Sequence, residues 1–177
     1  MPSGSTHDAI TFLLAVPAFA AAYAATKSIS ASAVIATAFV FGGLMFGPDL
    51  DTVSRQYSRW WVFRGIWFPY RKFFKHRSRF SHGLIMGALI RSVYFMGIMT
   101  LTAFLAAYIY ASYTGGRFIG LFDIARVWQP IGQFTREKFG EHFLLFAFIG
   151  VWLGAASHTF TDMAGSFIKN GRIAKFL

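Results

Sequence analysis

The stretch GAASHTFTD, residues 154–162, ends an apolar run with two side chains that could chelate a metal ion. His158 and Asp162 are four residues apart, and positions i and i+4 lie one turn apart on the same helix face. An imidazole and a carboxylate placed in this way could share one ion. A polar pair at a helix end is the alternative. At membrane depth, however, an ionisable side chain indicates a functional site, because leaving it unpaired costs on the order of several kcal/mol.

Two further stretches place carboxylates and an imidazole next to apolar runs. In GPDLD, residues 47–51, the proline ends a helix and Asp49 and Asp51 follow in a turn. They could bind one ion each or share two, although turn chemistry alone also explains such residues. In STHD, residues 5–8, His7 and Asp8 precede the first apolar run. There Thr6 or Asp8 could serve as a helix cap.

The stretch KHRSRFSHG, residues 75–83, contains two more histidines. His76 and His82 are six residues apart, which does not suit one face of a regular helix. We therefore expect His76 in a loop and His82 at the start of a helix, where Ser81 could be the N-cap. Arg77 could hold a phosphate or an oxyanion, with a solvent or lipid-headgroup contact as the alternative.

These imidazoles and carboxylates together would be enough for a site with one or two metal ions and an open position for water. Mixed nitrogen and oxygen ligands suit zinc, manganese or iron, of which zinc is the first choice. The chain has no cysteine, so a thiolate site is excluded. The candidate metal ligands are His7, Asp8, Asp49, Asp51, His76, His82, His158 and Asp162.

The composition predicts an integral membrane protein. Of the 177 residues 55% are hydrophobic, and the mean hydropathy is +0.49. Uncharged runs have about the 17 to 25 residues that cross a bilayer as helix, and the alternation typical of a barrel is absent. We predict an all-α fold, a bundle of four transmembrane helices in a single domain over residues 1–177. The helices are expected at about 9–26, 29–47, 83–112 and 142–162, with an interfacial loop at 52–80.

The distribution of lysine and arginine predicts the orientation. Most of them lie in the loop between the second and third spans and in the C-terminal tail, so the N-terminus, this loop and the C-terminus are expected in the cytoplasm. All eight candidate ligands then fall on that face. Arg91, inside the third span, could extend to the headgroups or point inward at a carboxylate.

The loop between the second and third spans interleaves aromatic with basic residues. Such a segment is typical of a membrane interface, where aromatic rings lie at headgroup depth and basic side chains attract anionic lipids. Lipids are therefore the expected partners, and a further membrane protein could also dock. Nucleic-acid binding is disfavoured, because attachment to four apolar helices already explains the aromatic residues. The aromatic residues concerned are Trp60, Trp61, Trp67, Tyr70, Phe73 and Phe74.

The stretches MPSGSTHD, GPDLD, SRQYSRWW, FPYRKFFKHRSRFSHG and GAASHTFTD together resemble a bacterial, largely cyanobacterial family of small integral membrane metal-binding proteins. That family is similar to the membrane-bound metal-dependent hydrolases, which share a Pro-Asp-x-Asp turn, paired histidines and a late His-x-x-x-Asp. The resemblance implies a bacterial inner or thylakoid membrane. It implies as ligands His7, Asp49, Asp51, His76, His82, His158 and Asp162.

Two functions remain in view. The first is a metal-dependent hydrolase acting at the cytoplasmic membrane surface on a phosphate- or acyl-bearing amphiphile. The second is a non-catalytic scaffold or accessory subunit of a larger membrane complex, in which ions hold helix ends together. An enzyme requires an open coordination position, whereas a structural metal centre is closed by protein ligands.

Overall fold

The computed structural model describes residues 3–74, 78, 80, 83–114 and 128–170, and for residues 169 and 170 it describes the backbone alone. Throughout these ranges the regular structure is helical and no strand occurs, which confirms the all-α prediction. The α-helices are α1 Gly4–Thr26, α2 Ile29–Met45, α3 Arg55–Arg59, α4 Phe68–Phe73, α5 Met86–Thr114, α6 Gln129–Phe139 and α7 Phe143–Asn170. Two 3-10 helices, Pro48–Asp51 and Trp61–Trp67, lie between α2 and α4.

Four of the described helices are long and apolar enough to cross a membrane. They are α1, α2 with the turn that follows it, α5 and α7, as predicted. The first begins at Gly4, earlier than the expected residue 9, because the Ser3 side chain caps it by accepting from the Thr6 backbone N–H at 3.2 Å. The expectation that Thr6 or Asp8 is the cap was therefore wrong. The last helix continues to Asn170, so His158 and Asp162 lie inside it.

The chain divides into two compact units, one of residues 1–92 and 145–177 and one of residues 93–144. In the second unit, the Trp128 indole N–H donates to the Thr100 hydroxyl at 2.8 Å. Phe139 also stacks on Phe143, with ring centroids 4.7 Å apart. The candidate ligands that the structure describes all belong to the first unit.

A tight hairpin joins α1 to α2 across the short polar gap between Thr26 and Ile29. Lys27 adopts a left-handed conformation with φ of 53°, and its N–H donates to the Tyr23 carbonyl at 2.9 Å. The Ser28 side chain then caps α2 by accepting from the Ala31 N–H at 3.3 Å. The hairpin returns α2 alongside α1, so that the end of α2 approaches the start of α1.

Glycines bring the backbones of α2 and α7 into direct contact. A Cβ atom on Gly154 would overlap the Phe39 carbonyl oxygen, and one on Gly42 would overlap the Val151 carbonyl. A Cβ atom on Gly150 would lie 2.6 Å from the Cβ atom of Ala38. Small residues of this kind permit the close helix approach that is typical of packing within membranes. The contact holds the next turn of α7, which carries His158, beside the end of α2.

The aromatic residues of the loop form a small core of their own. Trp67 packs edge-to-face against Phe46, Trp60 and Tyr70, with ring centroids 5.7, 5.2 and 5.7 Å apart. The Trp60 indole N–H also donates to the Met45 carbonyl at 3.1 Å. Trp60, Trp67 and Tyr70 are therefore buried, while Trp61 is exposed.

Candidate metal centre

Three of the predicted ligands come together from the two ends of the first unit. His7 lies in the first turn of α1, and His158 and Asp162 lie one turn apart in α7. Their potential ligand atoms all lie within 4.8 Å of one another. His7 Nε2 is 3.2 Å from Asp162 Oδ1, and His158 Nε2 is 3.9 Å from Asp162 Oδ2. The arrangement is a 2-His-1-carboxylate cluster.

The distances and burial of this cluster fit a metal ion. Ligands about 2.0–2.2 Å from a tetrahedral ion are separated from one another by roughly 3.3–3.6 Å, and the two distances above lie on either side of that range. His7, His158 and Asp162 are only 5%, 4% and 1% exposed. Within the described part of the chain, His158 Nε2 and both Asp162 oxygens have no partner in hydrogen-bond geometry. Buried polar atoms of this kind need an explanation, and a cation held between them supplies one.

The first turn of α1 is held in place by α2. The Thr11 hydroxyl donates to the His7 carbonyl at 2.9 Å, one turn along α1. On the facing helix, a Cβ on Gly43 would lie 2.5 Å from the Thr11 side chain. Because Gly43 has none, α1 can approach closely enough for the His7 ring to reach α7. Gly43 thus contributes to the cluster through packing alone.

Gln56 is a member of the site that sequence reasoning missed. Its side-chain N–H group donates to the Gly43 carbonyl at 3.2 Å and lies 2.8 Å from His158 Nδ1. A Cβ on Gly47 would overlap the Gln56 amide, so this glycine makes room for it. A single glutamine within a basic, aromatic segment carries no metal-binding signature. Only its buried position beside the imidazole identifies it.

Asp8 is paired with arginines and is not a member of the three-residue cluster. Its carboxylate accepts a hydrogen bond from Arg59 and lies 3.4 Å from the Arg55 guanidinium. Arg59 also donates to the Leu44 carbonyl at 3.0 Å. This contact ties the start of α1 to α3 and to the end of α2. The role of Asp8 as a metal ligand stays a prediction, and the structure gives its carboxylate an ion pair instead.

Asp49 and Asp51 lie in the 3-10 turn that follows α2. The Asp49 carbonyl accepts from the Ser54 hydroxyl at 2.8 Å, and Asp51 is buried. The Asp49 carboxylate acts electrostatically on His158, so the turn lies near the cluster. Neither aspartate belongs to the group of three whose donor atoms lie within 4.8 Å among the described residues.

Arg91 faces this turn from α5. It is completely buried, and its Nε donates to the Phe46 carbonyl at 2.7 Å. The guanidinium acts electrostatically with Asp49 and Asp51 and with the Tyr70 phenol. Burial raises the pKa of Tyr70, and the Arg91 charge opposes that rise. Arg91 therefore points inward at carboxylates, the second of its two expected orientations.

The remaining three candidates, His76, Arg77 and His82, lie outside the described residues. Their roles as two metal ligands and an oxyanion-binding group stay predictions.

Comparison with curated proteins and with solved structures found no match. A family model does match, and it covers residues 2–172, nearly the whole chain. Its description is "Uncharacterized metal-binding protein (DUF2227)", which agrees with the metal-ligand cluster that the structure assembles. The chain therefore belongs to the DUF2227 family of metal-binding proteins.

Proposed function

We propose that this protein binds one or two divalent metal ions at the cytoplasmic surface of a membrane and hydrolyses a phosphate- or acyl-bearing amphiphile there. The observation that carries this proposal is the buried cluster of His7, His158 and Asp162. Membership of a metal-binding family supports the metal-binding part of the proposal.

Two imidazoles and one carboxylate are a donor set for zinc, and also for manganese or iron. Three protein ligands leave a position on a four-coordinate ion open, as catalytic sites require. When bound, a divalent ion supplies Lewis-acid polarisation of an ester or phosphoryl oxygen. We assign His7, His158 and Asp162 to the first ion. His76, His82, Asp49 and Asp51 are the proposed ligands of a second ion, and Arg77 is proposed to hold the anionic group of the substrate.

The placement in a membrane is supported by the four long apolar helices. It is also supported by the surface between α2 and α5, where Trp61, Phe63, Phe68 and Phe73 are exposed. Basic side chains, including Arg64 and Lys72, lie among these rings in the sequence. A surface that combines exposed aromatic and basic residues suits anionic headgroups. We propose a bacterial inner or thylakoid membrane, with both termini in the cytoplasm.

A non-catalytic role is the second candidate, and the position of the cluster favours it. The three ligands connect the first turn of α1 with α7, so an ion between them would hold two helices together. In that case the protein is a metal-stabilised scaffold or an accessory subunit of a larger membrane complex. Metal binding is common to both candidates, so an assay for hydrolysis is needed to separate them.

Elemental analysis of detergent-purified protein tests the metal centre. We expect the parent to retain metal and the double variant His158→Ala, Asp162→Ala to lose it. The matched control is Glu141→Ala, His142→Ala, which removes an exposed carboxylate and an exposed imidazole from another part of the chain. Equal metal content in the parent and the first double variant would exclude the cluster as the binding site.

The same proteins, loaded with zinc or manganese, are then assayed against a panel of phosphoesters and carboxylic esters. Hydrolysis by the parent and by the control, but not by the His158→Ala, Asp162→Ala variant, supports the enzyme. A parent that retains metal and cleaves none of the panel supports the scaffold.

A further inference from the structure

We propose that Gln56 is a positioning residue that selects the tautomer of His158. We also propose that its side-chain amide flips when a metal ion binds, so that the amide oxygen and nitrogen exchange places. This inference rests on the metal binding proposed above and assigns a role to a residue outside the ligand set.

The Gln56 amide is confined in a buried slot. Gly47 lies against it, and a side chain at that position would overlap it. The amide nitrogen donates to the Gly43 carbonyl at 3.2 Å and lies 2.8 Å from His158 Nδ1. The amide oxygen is buried and has no hydrogen-bond partner in the described part of the chain. One end of the amide therefore makes both contacts, while the other end makes none.

This arrangement determines where the proton of a neutral His158 ring lies. A neutral imidazole carries one N–H and one lone pair. Because Nδ1 faces an N–H donor, Nδ1 must accept and the ring proton lies on Nε2. Nε2 is the atom that faces Asp162. With a proton there, it has no lone pair to offer a metal ion, so this orientation of the amide suits the tautomer that does not bind metal.

Metal binding through Nε2 requires the opposite tautomer. The proton then lies on Nδ1, which needs an acceptor, and metal-ligating histidines usually donate this N–H to one. A half-turn of the Gln56 amide brings its unpartnered oxygen to Nδ1. The amide gives up its hydrogen bond to Gly43 and gains an acceptor role toward His158. Loss of such a partner typically lowers metal affinity about 10- to 100-fold.

Nitrogen NMR of histidine-labelled protein in detergent tests the tautomer directly. The His158 signal is assigned by its loss in His158→Asn. We expect the metal-free parent to carry the proton on Nε2 and the zinc-loaded parent to carry it on Nδ1. A proton on Nδ1 in the metal-free parent would overturn the inference, and this measurement needs no Gln56 variant to fold.

Two substitutions extend the test to the residue itself. Gln56→Glu offers only acceptors while ionised, so its metal-free His158 should already carry the proton on Nδ1. Gln56→Leu offers neither donor nor acceptor and should weaken zinc binding about 10- to 100-fold. The control Gln133→Leu removes an exposed glutamine that donates a hydrogen bond to Glu137 at 3.0 Å. It should change neither the His158 tautomer nor the zinc affinity.

The outcomes separate the two proposals. A parent that binds no zinc contradicts the proposed function, while the metal-free tautomer still decides the role of Gln56. If the parent binds zinc, Gln56→Leu binds it with the same affinity, and zinc does not change the His158 tautomer, then only the role of Gln56 is contradicted.

Discussion

The imidazole rings of His7 and His158 are stacked, with centroids 3.8 Å apart and planes inclined by only 9°. Asp162 lies beside both, with one carboxylate oxygen toward the Nε2 atom of each ring. The first ring comes from the first turn of α1 and the second from α7. A small displacement of α7 would therefore separate the donors, so the site depends on how the helices pack.

Substitution of Gly154 tests that dependence. A Cβ at this position would overlap the Phe39 carbonyl of α2, so Gly154→Ala should move α7 and the His158 that follows one turn later. We expect the free energy of unfolding to fall by roughly 1–3 kcal/mol and the zinc affinity to fall with it. Calorimetric zinc titration and thermal unfolding in detergent measure both.

The control for this experiment is Gly97→Ala, because nothing lies within 4 Å of a Cβ built there. It should bind zinc like the parent. Parental zinc affinity in Gly154→Ala would show that the glycine contact does not position His158.

Asp8 offers a test of which carboxylates hold metal. Because it pairs with Arg59 and Arg55, Asp8→Asn should leave the metal content unchanged. The lost charge-assisted hydrogen bond should lower the free energy of unfolding by about 1 kcal/mol, since the pair is partly exposed. Asp162→Asn, which has the same change of charge and shape, should instead lose metal. Metal loss in both variants would make Asp8 a ligand after all.

The Tyr70 phenol gives the stability of the protein a dependence on high pH. Burial raises its pKa above the ordinary value of 10.0. The folded protein thus favours the neutral phenol. The resulting contribution to the free energy of unfolding is present below about pH 10 and is lost as pH rises through the raised pKa. Tyr70→Phe should be less stable than the parent at pH 7 by about 1 kcal/mol, because it loses the interaction of the phenol with the Arg91 guanidinium.

Above pH 10 the free energy of unfolding of the parent should fall toward that of Tyr70→Phe. Thermal unfolding in detergent between pH 7 and 11 measures the difference. A gap that stays constant over this range would contradict the assignment.

Neighbouring tryptophans allow the proposed membrane interface to be located. Trp61 is 77% exposed, whereas Trp67 is completely buried. In bilayers with lipids brominated near the headgroup, we expect Trp61→Phe to reduce the quenched share of the fluorescence, because the proposed interface places Trp61 at headgroup depth. Trp67→Phe is the control and should leave that quenched share at least as large as in the parent. Equal quenching in the parent and Trp61→Phe would place this surface away from the lipid.

Much of the fold could be predicted from local properties of the chain. The four long helices follow from uncharged runs of bilayer length, because helical rise and bilayer thickness set that length without reference to the rest of the chain. The tight hairpin at Lys27 follows from the short polar gap between two such runs. The placement of His158 and Asp162 on one face follows from helical periodicity.

Helix ends were predicted less well, because they depend on individual caps. Ser3 extends α1 toward the N-terminus through one side-chain hydrogen bond, and this brings His7 inside the first turn. Several polar residues near the start could have made that bond. Choosing among them requires the geometry of the turn.

Sequence reasoning was thus sufficient for the helices and for the types of metal ligand, because composition and periodicity are local. The sequence predicted that all eight candidate ligands share one face. Only the tertiary structure selected His7, His158 and Asp162 from among them, paired Asp8 with Arg59 and placed Gln56 beside an imidazole. Those contacts join residues distant in the chain, and the packing of α1 and α7 against α2 decides them. That packing depends on glycines at positions where any Cβ atom would overlap the facing helix, and no pattern of residue types shows which glycines those are.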